Sequence, residues 1–114
     1  MERYYIHPVK GDCLERLGIL NRGGGYAIVD KTKKPKVGDV VHCLLGGGNV
    51  LSYIKQVKRI DESGVTVGTA YLDPSKDYEA IATEILGVVV ETYGKQHRFR
   101  EYAAQPYRLE EVTP

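Results

Sequence analysis

The residue best suited to chemistry in this chain is Cys13, in the run Gly11-Asp12-Cys13-Leu14, with Gly18-Ile19 just behind it. A thiol attacks a carbonyl well only when its proton has somewhere to go. Residues 13–17 can make one helical turn, because Leu14 and Leu17 stand three apart. Asp12 is expected to cap the start of that turn and Gly18 to stop it. A cysteine at such a position meets partial positive charge, which favours thiolate. Lysines are among the residue types that could take or hold the proton, and two of them lie in one long strand pattern at 50–60. Alternation there places Lys55 on a face with Leu51, Tyr53 and Val57. Lys58 falls with Ser52, Ile54 and Gln56, a mostly polar face, and is the alternative base. A lysine acts as a base only when neutral, so burial that depresses its pKa is required. The competing readings are plain ones. Cys13 is then a small buried thiol, as free cysteines usually are, and Lys55 an edge lysine that blunts strand pairing.

The elements that would position these residues are short strands. Residues 3–7 form the first, ended by Pro8 and Gly11. Tyr26 to Asp30 reads as a buried strand after Gly23-Gly24-Gly25. Gly38-Asp39 marks a turn before the strand Val40–Leu45. Gly46-Gly47-Gly48-Asn49 is a hairpin turn by composition. A further turn at Asp61-Glu62-Ser63-Gly64 leads into Val65–Ala70. Residues 71–82 are expected to be irregular, with a turn at Asp73-Pro74-Ser75. Glu84–Thr92 is the final apolar strand. Residues 1–93 therefore read as one domain and 94–114 as a polar C-terminal tail.

Composition agrees with a single domain of 114 residues. Thirteen glycines, nine tyrosines and no tryptophan favour strands and turns. The formal net charge of +1 supplies no global attraction to nucleic acid. Lysines 31, 33, 34 and 36 read as a solvated turn. Two cysteines make no disulfide framework, and the chain opens without a secretory signal pattern. A cytoplasmic location with free thiols is expected. The apolar run at 85–90 is too short to span a bilayer. His7, His42 and His97 lack metal-ligand spacing, and neither glycine run has the Lys-Ser/Thr of a phosphate loop. No metal or cofactor is expected.

The order of these signals resembles the LexA/UmuD family of self-cleaving peptidase domains. The family carries its serine in a Gly-x-Ser-Met context, which Gly11-Asp12-Cys13-Leu14 matches with cysteine at the nucleophile position. Gly18-Ile19, Ile28-Val29-Asp30, Gly38-Asp39-Val40-Val41 and Tyr53-Ile54-Lys55-Gln56-Val57 match the segments that follow, the last carrying the family's lysine. Gly64 to Ala70, Tyr78-Glu79-Ala80-Ile81 and Ile85–Val89 match its closing strands. The resemblance covers residues 9–91.

It implies a mainly β, LexA/signal-peptidase-like fold of short antiparallel strands forming a coiled, partly open barrel. It also implies a Cys13/Lys55 dyad acting on a peptide or protein substrate, with oxyanion contacts from the turn at Asp12 and Leu14. With cysteine in place of serine, a thiolate–ammonium resting pair becomes possible. Phage- or stress-regulator relatives of this type commonly form homodimers through their closing strands. Only twelve residues precede Cys13, none forming the Ala-Gly or Cys-Gly pair that the family cuts. Intramolecular cleavage of that kind is therefore not expected. The first alternative is a catalytically inactive dimerisation module of the same fold. The weaker one is a small β barrel that binds nucleic acid.

Overall fold

The computed structural model describes residues 2–19, 25–47 and 51–93, and the backbone of 100–101. The described residues form eight strands: β1 (Tyr4–Val9), β2 (Gly25–Asp30), β3 (Val40–Leu45), β4 (Leu51–Asp61), β5 (Gly64–Gly68), β6 (Glu79–Ile81), β7 (Glu84–Tyr93) and β8 (Arg100–Glu101). They form one antiparallel sheet in the order β1-β2-β7-β3-β4-β5-β6, with β8 also paired to β7. The path has two ends, so the sheet is open. The expected mainly β, antiparallel, open architecture is the one observed. Among the described residues no helix is long and apolar enough to cross a membrane.

The middle strands are apolar on both faces, and alternation sends their residues to two clusters. Val40, Ile54 and Val89 join Val9, Leu14, Ile19, Ala27, Val29 and Ala70 in the first. Val41, Cys43, Val57, Val67 and Val88 make the second. The first cluster exists because the sheet coils strongly. In a flat sheet β1 and β3, three places apart, would lie roughly 14 Å from each other. Yet the ring of Tyr5 on β1 meets that of His42 on β3 at 5.6 Å, and the ring of His7 meets it at 4.0 Å. The same coiling carries the loop after β1 over to β4.

Irregularities shape the strands locally. β2 and β7 slip in register at Ile28/Val29, and β3 and β7 at His42/Cys43. β4 slips against β5 between Val57 and Arg59, so Lys58 is the extra residue of a bulge. Even with the bulge Lys58 stays with Gln56, whose side-chain oxygen accepts from its amine at 3.0 Å, as alternation expects. At Gly87 two strands approach closely. A Cβ there would lie 2.5 Å from Val29 Cγ1 and 2.9 Å from the Asp30 carbonyl oxygen, so only glycine lets β7 lie against β2.

Three expectations need correction. β1 runs through Pro8 to Val9 rather than ending at Pro8, because an edge strand has a side that needs no ladder donor. Residues 79–81 are a strand, pairing with Thr66–Gly68, inside the stretch expected to be irregular. The turn near Cys13 is a 3-10 turn at Glu15–Leu17 without a side-chain cap, so Asp12 serves through its carbonyl, which accepts from the Glu15 N–H at 3.1 Å. Gly18 does stop that turn, at a left-handed φ of 82°. The turn at 73–75 is a 3-10 turn at Pro74–Lys76, whose Asp73 carboxylate accepts from the Ser75 N–H. Gly23, Gly24, Gly48, Asn49, His97 and most of the 94–114 tail lie outside the described residues.

Candidate active site

Two segments are latched together to hold Cys13. The Ala70 N–H donates to the Cys13 carbonyl at 2.6 Å, and the Arg16 N–H donates to the Ala70 carbonyl at 2.7 Å. Leu14 and Ile19, each 2% exposed, anchor the loop in the first cluster. The guanidinium of Arg16 reaches the Tyr71 carbonyl at 2.7 Å and the Asp77 carboxylate at 3.0 Å. Asp77 also accepts from the Tyr71 N–H and the Thr69 hydroxyl. These contacts, the Tyr71 N–H foremost, hold its carboxyl below the usual carboxylate range against the opposing effect of burial, with Arg16 adding to them. Thr69 then fixes the next residue, since its hydroxyl accepts from the Tyr78 N–H at 3.0 Å. Its own N–H donates to the Tyr78 carbonyl at 3.2 Å.

Lys55 comes from the opposite direction. β4 pairs with β3 so that Lys55 faces Val41 and Tyr53 faces Cys43. The residue is 3% exposed, and its Nζ donates to Cys13 Sγ at 3.3 Å and to the Tyr78 hydroxyl at 3.2 Å. The ammonium lies 5.1 Å from the ring centre of Tyr53 and 5.2 Å from that of Tyr78, within the range of cation–π attraction. When protonated, the thiol of Cys13 can donate instead to the Ile54 carbonyl, 3.7 Å away. The two candidates for the dyad are therefore brought together.

Of the two states considered for Lys55, neutral base and ammonium, its surroundings favour the second. Burial pushes the Lys55 amine down, as the apolar face of β4 suggests. The Tyr78 hydroxyl and the Cys13 sulfur more than offset it, and the net direction is up. Lys55 is thus held as an ammonium, not as a free base. Cys43 provides the contrast: burial in the second cluster pushes its thiol up to about 11, which keeps it inert.

Around the pair lies a cleft of about 270 Å³, whose walls include His7, Asp12, Tyr53, Tyr71 and Tyr78. Of the turn residues named for the oxyanion, Asp12 lines the cleft. Leu14 turns its side chain into the core, and its carbonyl is taken by the N–H groups of Leu17 and Ile19. Lys58 is not part of this site. Its amine bonds Gln56 at 3.0 Å, and its charged neighbours are Asp77, Arg16 and Glu79. Burial pulls that amine down, Asp77 and Glu79 only partly restoring it.

Sequence reasoning missed Tyr78 and the His7–His42–Tyr5 group. The alternation of β1 puts Tyr5 and His7 on one face, a signal that was there to find. Their meeting with His42 depends on coiling, which no local pattern encodes. No family model, no curated protein and no solved structure matches the chain.

Proposed function

We propose that this is a LexA/UmuD-like, peptidase-type domain in which Cys13 is the nucleophile and Lys55 its proton-handling partner. The observation that carries this reading is the 3.3 Å contact between Lys55 Nζ and Cys13 Sγ at the floor of an open cleft. A raised lysine pKa suits the cysteine version of the dyad. The sulfur, facing the ammonium, attacks as thiolate and adds to a peptide carbonyl, whose electron pair moves to oxygen. Collapse breaks the C–N bond, and the leaving amine takes a proton from Lys55. The neutral lysine then accepts a proton from water as that water attacks the thioester, which restores the ammonium and the thiolate.

The test is cleavage of a mixed peptide library followed by mass spectrometry. Wild type is expected to release new termini, and both Cys13→Ala and Lys55→Ala to abolish them. Cleavage that survives either substitution rules the dyad out.

A second reading, a dimerisation module of the same fold, draws on the outer face of β1, β2 and β7. Tyr4, Ile6 and Tyr26 are exposed there, Ile6 to 67%, beside a shallow groove of about 580 Å³ that also involves Ile28 and Val90. Apolar surface of this kind marks interaction sites. Sedimentation equilibrium is expected to find a dimer that Ile6→Asp dissociates. A monomer at every concentration tested counts against it.

A further inference from the structure

The geometry points to Tyr78 as a third catalytic residue, whose hydroxyl donates to the oxyanion formed when Cys13 attacks a carbonyl. This inference rests on the peptidase-type reading and adds to it a group that the sequence did not single out. A phenol has one proton and two lone pairs. In this site one lone pair receives the Lys55 N–H at 3.2 Å. An ammonium has no lone pair to offer in return, so the phenol proton must point away from Lys55. Among the described residues no acceptor takes that proton, and the hydroxyl stands at the wall of the cleft.

The placement is also right. Cys13 Sγ and Tyr78 Oη are both partners of one tetrahedral nitrogen, at 3.3 and 3.2 Å, so they flank the same small space. A carbonyl carbon bonded to the sulfur would set its oxygen towards the phenol, at the distance of an ordinary O–H···O bond. The ring is held for this task. Thr69 grips the Tyr78 backbone from both sides, and Gly68 lets that backbone approach, since a Cβ at 68 would stand 2.7 Å from the Tyr78 carbonyl oxygen. The charge on Lys55 favours the arrangement further, because a phenol that accepts from a cation is a stronger donor.

In the reaction with p-nitrophenyl acetate, the thiolate forms an S–C bond and the carbonyl pair moves to oxygen, where Tyr78 donates. Collapse then expels nitrophenolate with its electron pair and leaves an acetyl thioester on Cys13. The leaving group needs no proton, so the proton-donor role of Lys55 does not enter. Alkylation by iodoacetamide uses the same thiolate, expels iodide and forms no oxyanion.

The experiment compares single-turnover acetylation and alkylation of Cys13 in wild type and Tyr78→Phe, read by intact mass, with glutathione as the reference thiol. Phenylalanine keeps the ring over Lys55 and removes only the hydroxyl. Acetylation is expected to slow roughly 10²-fold, the cost of one oxyanion donor, while alkylation stays close to wild type and so also reports an intact cleft. Equal losses in both reactions would mean that Tyr78 acts only through Lys55, overturning the donor role while leaving the dyad standing. No loss in either reaction would overturn it as well. A wild-type Cys13 no faster than glutathione in both would overturn the peptidase-type reading, and the Tyr78 assignment with it.

Discussion

Lys55→Met is expected to slow alkylation of Cys13 by between about tenfold and 10²-fold while leaving stability within about 1 kcal/mol of wild type. The first half follows from charge. An ammonium 3.3 Å from the sulfur attracts the negative charge that the sulfur carries as it attacks, and solvent at the part-exposed cysteine weakens that attraction. Methionine matches the lysine stem in length and removes the charge. The second half follows from what is left behind. Removing one partner of a buried ion pair is costly when the other charge is stranded. Cys13 is not stranded, because it can keep its proton and donate to the Ile54 carbonyl. Tyr78 is half exposed and can turn its hydroxyl to water. The buried amine is replaced by an apolar chain among Val41, Tyr53 and Val57, which suits the site. Rates of iodoacetamide modification and urea unfolding curves check the two halves separately. Unchanged alkylation would mean that the ammonium does not control the sulfur. A large loss of stability would mean that Lys55 is chiefly structural, as a lysine inside a sheet can be.

This split of effects shows why the pair could be found in the sequence while its state could not. The types and order of residues around Cys13 and Lys55 carried the candidates, and strand alternation was enough to bury Lys55. Alternation also set Lys58 beside Gln56, which its amine bonds, and so apart from the pair. The direction of the Lys55 shift depends on Tyr78, whose hydroxyl arrives from 23 positions away through the Thr69 grip and the short strand β6. That strand was read as irregular because three residues, Glu79–Ile81, are too few to show a period. The strands β2, β3, β4 and β7 were legible because each is long, apolar and bounded by glycine, proline or aspartate. Their order in the sheet was not, since β7 sits between β2 and β3 and only long-range pairing puts it there. Latching of the Cys13 loop to Ala70 and Asp77 is likewise a product of tertiary structure.

The second large effect is on stability against acid, and it arises at His42, away from the dyad. His42 is 6% exposed, its ring stacks on His7, and one ring nitrogen, Nδ1, bonds the Tyr5 hydroxyl. Among the described residues, the other, Nε2, has no partner. A protonated ring carries two N–H donors, and Tyr5 can accept only one of them, so the charged form would bury an unpaired donor. Burial, with a smaller contribution from the neighbouring His7, therefore pulls His42 down to about 4. His7 is pulled down as well, by burial and then by Lys10. The unfolded chain titrates its histidines near 6.5, so below that pH it binds protons that the folded protein refuses. Stability is then full above about 6.5 and falls as the pH drops towards 4. At about 1.4 kcal/mol per pKa unit, His42 alone removes about 2 kcal/mol between pH 7 and pH 5. That window lies above the range in which Asp30 and Asp77, both held low by their partners, begin to take up protons. His42→Phe keeps a ring against His7 and cannot titrate. Its urea unfolding free energy is expected to vary much less over this window than that of wild type, so the difference between the two proteins should widen as the pH falls. Parallel curves for the two would place the acid sensitivity elsewhere and leave His42 as an ordinary core ring.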